Sequence, residues 1–192
     1  MRQPARRPAT EADFWAIPEA ERFHELVGGE LIEKAAPSGE HGGAQFAIAA
    51  KMSPFQRPRG GDGPGGWWFA SEVEVRLQSR EIVRPDVLGW RRERCEHRPT
   101  GSPVELRPDW VCEVISASNA ANDTVKKLRA YHHNEIPHYW LLDPASGTLT
   151  VLRWSREGYI TVRSAERGEL VRAEPFDEIE LAVATLLGDD PE

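Results

Sequence analysis

The amino-acid sequence predicts an α/β protein in which a mixed β-sheet is flanked by helices, with a β-hairpin at each end. Strands and helices alternate in the middle of the chain, which is the pattern of a sheet covered by helices. Near the N-terminus two alternating runs are separated by Gly28-Gly29, and a second such pair follows a turn at residues 144–147. The 192 residues are enough for one α/β domain with a substantial core. We therefore expect a disordered tail over residues 1–9 and a single domain over residues 10–192.

Capping residues, turns and alternation predict the elements of the first half. They are a helix after Thr10, a hairpin of residues 23–27 and 30–34, a helix from Ser38 to about Met52, a loop over residues 54–66, and a strand over residues 67–77. The strand has apolar residues on one face, while Glu72, Glu74 and Arg76 alternate onto the other.

The second half is predicted to supply the buried strands. It contains a strand over residues 81–90 that bends at Pro85, a strand over residues 110–116, a helix over residues 122–134, a strand over residues 139–143, and hairpin strands over residues 148–154 and 159–162. Residues 110–116 are apolar apart from Glu113 and Ser116, which predicts a strand buried on both faces.

Composition excludes several classes of protein. No apolar run approaches the roughly 20 residues that span a bilayer, so we expect no membrane segment and a cytoplasmic protein. Cys95 and Cys112 do not have the spacing of a metal site. The net charge of −7 argues against a protein that coats nucleic acid. The basic segment 84–98 is compatible either with a solvated loop or with contacts to phosphate.

The residue with the strongest chemical signal is Glu113. A lone carboxylate in a buried strand is costly unless it is paired or holds a metal ion. Asp109 precedes it by four residues, about 13 Å of strand, so both cannot bind one small cation. Asp86 lies on a different predicted strand and could lie beside Glu113. Two such acids suit Mg²⁺ (or Mn²⁺), which needs few carboxylates and keeps several waters.

A lysine near these acids could stabilise charge on a phosphate or orient water. The residue two positions after Glu113 is Ile115, so any lysine must come from elsewhere. Lys127 shares one face of the predicted helix with Asp123 and Tyr131, at intervals of four residues. Two interpretations remain open: Lys127 reaches the site, or it forms an Asp123–Lys127 surface ion pair of little value.

Six segments in order carry a resemblance to a known family: FHELVGGEL (23–31), PSGEH (37–41), VRPDV (83–87), DWVCEVIS (109–116), DTVKKLRAY (123–131) and IPHYWLLDP (136–144). They resemble the Uma-type family of restriction-endonuclease-like proteins over about residues 14–155. The resemblance implies a restriction-endonuclease-like fold of the PD-(D/E)XK nuclease superfamily.

The resemblance also implies site residues. They are the acid of the Pro-Asp element (Asp86), the acid of the next strand (Glu113), the lysine of the following helix (Lys127), an acid from the N-terminal hairpin (Glu25 or Glu30), and the histidine after Pro-Ser (His41). Gly28 departs from the family pattern, in which an acid precedes the hairpin glycine.

Three functions compete at this point. The first is a Mg²⁺-dependent endonuclease that hydrolyses DNA, acting as a homodimer because one site per chain must cut two strands. The second is a binding or assembly module that has the same fold without catalysis. The third is a carboxylate-pair hydrolase, such as a glycosidase, which would act without metal.

Overall fold

The computed structural model describes residues 7–61, 63–78, 80–116 and 120–190. Residues 1–6 of the predicted tail lie outside this set, whereas Ala9 donates its N–H to the carbonyl of Gly29. The helices are α1 (Glu11–Trp15), α2 (Gly39–Lys51), α3 (Leu128–His133) and α4 (Val183–Leu186), and a π-helical turn (Asn122–Lys127) leads into α3. No helix in these ranges is long and apolar enough to cross a membrane.

Twelve strands are found in the described residues: β1 (His24–Val27), β2 (Glu30–Glu33), β3 (Trp67–Ala70), β4 (Val75–Arg76), β5 (Ile82–Val83), β6 (Val87–Arg91), β7 (Trp110–Val114), β8 (His138–Asp143), β9 (Thr148–Ser155), β10 (Gly158–Glu166), β11 (Leu170–Val171) and β12 (Leu181–Ala182). The largest sheet has the order β10-β9-β8-β7-β6-β3. In it β7 and β8 are parallel and the other neighbours are antiparallel, so the sheet is mixed, as predicted. A smaller sheet has the order β2-β1-β5-β4, and β11 pairs with β12.

The core lies on both faces of the large sheet. On one face the rings of Trp67, Trp110 and Trp140 surround Phe176, with centroids 5.0, 5.1 and 5.6 Å away. On the other face Val111 packs in a cluster that includes Tyr131 and Tyr139. All five residues of β7 are buried, which confirms the predicted strand with two buried faces.

One predicted strand was wrong. Residues 67–77 form two strands in two sheets, because the chain turns at Glu72, whose φ of 55° is left-handed. Strand β3 pairs with β6, whereas β4 pairs with β5. After the turn Val75 and Leu77 of the predicted apolar face are buried, and Glu74, which the alternation assigned to the opposite face, is buried too. Its carboxylate accepts hydrogen bonds from Arg22 at 3.1 Å and Arg84 at 3.0 Å.

The bend at Pro85 was predicted correctly and it positions an acid. Strand β5, before the proline, belongs to the small sheet, and β6, after it, belongs to the large one. Asp86 is the residue between the bend and β6. The two sheets therefore meet at a candidate site residue.

Replacing Gly89 with alanine should destabilise the fold. A Cβ atom there would lie 2.9 Å from Phe69 Cε1 and 3.2 Å from Trp67 Cε3, in a packed core. We expect the free energy of unfolding to fall by about 1–3 kcal/mol, because overpacked cores lose that much. Denaturant titration measures it. Gly168→Ala is the control, since a Cβ there meets nothing within 4 Å. Equal stability of the two variants would contradict the prediction.

Candidate active site

A cavity of about 940 Å³ opens where the N-terminal hairpin, the start of α2, strands β6 and β7 and the π-helical turn meet. Its ionisable lining residues include Glu25, Lys34, His41, Glu72, Asp86, Glu113, Asp123 and Lys127. Five of the six site residues predicted from the sequence therefore line it, and the exception is Glu30.

Lys127 is at the centre of the first cluster. Its Nζ lies 3.0 Å from Glu25 Oε1, 3.0 Å from Glu113 Oε1 and 3.5 Å from Asp123 Oδ1, and the residue is 1% exposed. The Tyr131 hydroxyl donates a hydrogen bond to Glu113. The shared helix face predicted for Asp123, Lys127 and Tyr131 is therefore confirmed. The surface ion pair is excluded, because this cluster is buried.

Asp86 is at the centre of the second cluster. Its Oδ1 accepts a hydrogen bond from Lys34 Nζ at 2.8 Å, and its Oδ2 accepts the Val114 N–H at 2.7 Å and lies 3.2 Å from His41 Nε2. The antiparallel register pairs Val87 with Cys112, which brings Asp86 beside the strand that carries Glu113. The predicted lateral placement of the two acids is confirmed.

Burial and neighbouring charges shift the pKa values of several of these groups. Burial raises the pKa of Glu113 well above its usual value, although Lys127 opposes the shift. Burial would also raise the pKa of Asp86, but His41 and Lys34 outweigh it and lower that pKa strongly. The hydrogen bond to Asp86 raises the pKa of His41, which favours its cationic form. The pKa values of Glu113 and Asp86 are thus shifted in opposite directions, a pattern common at functional sites.

Asp123 should make stability depend on pH. Burial raises the pKa of its carboxyl from 3.8 to about 6. Between about pH 4 and 6 the folded state therefore holds a proton that the unfolded state has released, so the free energy of unfolding falls as pH rises. In Asp123→Asn we expect the free energy of unfolding to decrease by about 2–3 kcal/mol less than in the wild type over this pH range, since one pKa unit corresponds to about 1.4 kcal/mol.

Chemical denaturation of wild type and Asp123→Asn at several pH values measures this contribution. Asp177→Asn is the control, because Asp177 is exposed. If the stability difference between wild type and Asp123→Asn is the same at pH 4 and pH 7, the buried acid does not titrate as described.

The remaining predicted residues have other positions. Glu30 is exposed at the hairpin turn and pairs with Lys126 at 2.6 Å, away from the cavity lining. Asp109 accepts the Arg91 N–H at 2.8 Å and pairs with Arg94. All five arginines of the basic segment have partners within the fold: Arg84 with Glu74, Arg91 with the Trp67 ring, Arg92 and Arg98 with the Trp68 ring, and Arg94 with Asp109. Contact of that segment with phosphate stays a prediction.

Sequence reasoning missed Lys34, Glu72 and Gln45. Lys34 Nζ also bonds both oxygens of Glu72 at 2.8 Å, and the Gln45 amide donates to Glu72 at 3.1 Å. In the sequence Lys34 ends an amphipathic strand, where a lysine is ordinary. The available signal was its position directly after β2 and three residues before Pro37.

The donor set fits a hard divalent cation. Glu25, Asp86 and Glu113 bring carboxylate oxygens to the cavity. Oε1 of Glu25 contacts Lys127 and the Arg84 N–H, and Oε1 of Glu113 contacts Lys127 and the Tyr131 hydroxyl. No group of three His, Cys, Asp or Glu side chains in the described ranges is already gathered as a metal-ligating cluster. Mg²⁺ does not need one, because it binds one or two carboxylates and several waters.

The mixed sheet with its flanking helices is a nuclease-like fold, and the acid–lysine cavity lies where its two larger sheets meet. The fold is similar to the crystal structure of a "putative nuclease belonging to DUF820" from Anabaena variabilis ATCC 29413, with a TM-score of 0.74 and 21% identity over 94% of this chain and 98% of that one. The chain belongs to the Uma2 family, described as "Putative restriction endonuclease", whose profile matches residues 12–184.

A second solved structure, the DrdV–DNA complex, is similar with a TM-score of 0.35 and 16% identity, over 64% of this chain and 9% of that one. That likeness is too partial to support an inference. The comparison with curated proteins gives no match. The family resemblance seen in the sequence and the expected fold are confirmed by the family match and the Anabaena structure.

Proposed function

We propose that the protein is a metal-dependent endonuclease that hydrolyses phosphodiester bonds of DNA in this cavity. One observation carries the proposal: a lysine that is 1% exposed contacts Glu25 and Glu113 at 3.0 Å, in an accessible cavity that Asp86 also lines. Buried ion clusters contribute little to stability compared with apolar packing. Acids with strongly shifted pKa values next to a cation in a cleft favour a catalytic role for the cluster.

In this proposal Asp86 and Glu113 hold Mg²⁺ or Mn²⁺. When bound, such an ion polarises the phosphate and lowers the pKa of a coordinated water. Both acids are held in place before the ion arrives. The Val114 N–H and His41 orient Asp86, and the Tyr131 hydroxyl orients Glu113. Fixed ligands limit the reorganisation that binding requires.

Lys127 supplies positive charge next to the reacting phosphate. Nearby acids, chiefly Glu113 and Glu25, raise its pKa despite burial, so it stays protonated. A preorganised cation in a buried setting stabilises negative charge that develops in the transition state. Glu25 positions Lys127 and accepts the Arg84 N–H at 2.7 Å, which ties the hairpin to the site. Glu25 is thus assigned a positioning role, with its second oxygen available to a cation.

The alternative is a binding or assembly module without catalysis. It is favoured by the contact of Lys34 Nζ with Asp86 Oδ1 at 2.8 Å, because an ammonium group there already neutralises a proposed metal ligand. The pKa of Lys34 is raised, since nearby acids, chiefly Asp86 and Glu113, outweigh the effects of burial and of Lys127. Such a module would bind no divalent ion at the cavity.

Plasmid cleavage separates the two functions. Purified protein is incubated with supercoiled DNA in Mg²⁺, Mn²⁺ or chelator, together with the variants Glu25→Gln and Glu30→Gln. These acids belong to one hairpin, but only Glu25 contacts Lys127. We expect metal-dependent nicking by wild type and Glu30→Gln, and at least about 10-fold less by Glu25→Gln. Absence of nicking in every metal would support the binding module.

A further inference from the structure

The outward face of α2 has an unusual composition. Gly39, Gly43, Phe46 and Ala50 follow one another at helical spacing, opposite the buried Ala44 and Ile48 of the same helix. Phe46 is 78% exposed, the highest exposure among the large hydrophobic residues described. A solvent-facing helix surface is normally polar. Here the charged residues Glu40 and Lys51 lie only on one flank, at the two ends of the helix.

The glycines on and beside this face have open space at their own Cβ positions, although a Cβ atom at Gly188 would lie 3.4 Å from the Gly43 backbone, so the C-terminal segment passes close to one edge of the face. A Cβ atom built at Gly39, Gly42 or Gly43 meets nothing within 4 Å, and none of the three has a positive φ. Neither close packing nor backbone conformation therefore requires glycine. Glycine in a helix is less favourable than alanine. Three such residues beside an exposed phenylalanine leave a shallow hollow next to a large apolar side chain.

We propose that this face pairs two copies of the chain, with α2 antiparallel to α2 of the partner subunit. A two-fold interface brings the same patch together from both copies, so the patch must be complementary to itself. Placing Phe46 of one copy against Gly43 of the other also places Gly39 against Ala50. The four residues of the outward stripe thus pair among themselves: the large Phe46 side chain meets Gly43, and the small residues Gly39 and Ala50 meet each other.

Charge supports the same arrangement. Glu40 and Lys51 are both exposed and lie on the same flank of α2. Antiparallel pairing brings Glu40 of one copy close to Lys51 of the partner subunit, once on each side of the two-fold axis. Parallel two-fold pairing would instead place the two charged flanks on opposite sides of the interface, so that Glu40 and Lys51 would not meet across it. Opposite charges at the rim of an interface fix register more than they add affinity.

The pairing has a consequence for the cavity. Ser38, Glu40 and His41, at the start of α2, line it. Lys51 of the partner subunit would therefore lie at its rim, and the two cavities would flank the axis. The use of this arrangement to cut two DNA strands rests on the proposed function, whereas the pairing does not.

The first test is sedimentation equilibrium of the full chain over a range of concentrations, without DNA. Helix α2 has 13 residues and spans about 20 Å. Because a single helix of this length gives a small contact area, we expect a reversible dimer. Phe46→Glu should raise the dimer dissociation constant at least about 10-fold. Leu170→Glu, at a residue that is 65% exposed elsewhere, should not change it. A wild type that stays monomeric, or that associates only when duplex DNA is added, would overturn the proposal.

A charge exchange tests the register independently of Phe46. Glu40→Lys and Lys51→Glu should each weaken the dimer, because each creates a like-charge contact. The double variant should restore the wild-type dissociation constant. A double variant weaker than either single variant would overturn antiparallel pairing. Neither substitution removes a buried side chain, so all three proteins should fold.

Discussion

Asp86→Asn is expected to abolish metal-dependent DNA cleavage, with a loss of at least about 100-fold in rate. The substitution removes the charge that would hold the metal ion. It keeps a side-chain oxygen that can accept the Val114 N–H, a bond of 2.7 Å in the wild type. Lys34 and His41 also lose a charged partner, so stability should fall as well, and rates are compared for folded protein only. Initial rates of plasmid nicking, with folding checked by circular dichroism, measure the loss of activity.

Asp109→Asn is the matched control for this prediction. Asp109 is also a buried acid next to β7, but its partners are the Arg91 N–H and Arg94, outside the cavity. We expect this variant to lose stability and to cleave DNA normally while it is folded. Normal cleavage by Asp86→Asn would remove Asp86 from the site.

Lys127→Met is expected to lower both stability and activity. Removing one partner of a buried ion pair leaves uncompensated charge and costs about 3–5 kcal/mol. Here Glu25, Glu113 and Asp123 would all lose their shared cation. Denaturant titration at neutral pH measures the loss, and plasmid nicking by the folded variant should be undetectable. The deficit in stability should shrink as pH falls towards 4, because protonation of the acids removes the unpaired charge.

Lys126→Met provides the comparison at the next residue. Lys126 is partly exposed and pairs with Glu30, which is exposed too. Exposed pairs contribute about 0–1 kcal/mol, so this variant should resemble the wild type in stability and cleavage. Similar losses for the two methionine variants would show that Lys127 is not the buried centre of the cluster.

Local signals in the sequence were enough to predict most elements and the central acids. Glycine pairs and capping residues are short-range features, so the N-terminal hairpin and α2 were predicted correctly. Glu113 was identified because a single acid in an apolar strand stands out in any sequence. Lys127 needed the family resemblance, since its helical spacing from Asp123 was equally compatible with a surface pair.

Features that depend on contacts between distant segments could not be predicted. The strand at residues 67–77 keeps an alternating pattern through the turn at Glu72, so the pattern gave no sign of the left-handed residue. Lys34 reaches Asp86 across 52 positions, through the meeting of the two sheets. Neither the turn at Glu72 nor the contact of Lys34 with Asp86 follows from local sequence spacing. Both depend on the bend at Pro85, whose existence was predictable but whose direction was not.

Calorimetric titration of Mn²⁺ into wild type and Glu113→Gln tests the central claim most directly, because it measures the metal site without requiring a substrate. Glu30→Gln serves as the control, since Glu30 lies on the exposed hairpin turn. The account predicts Mn²⁺ binding by wild type and Glu30→Gln, and loss of that binding in Glu113→Gln. Absence of binding in the wild type, or equal binding in all three proteins, would contradict a metal site formed by Asp86 and Glu113.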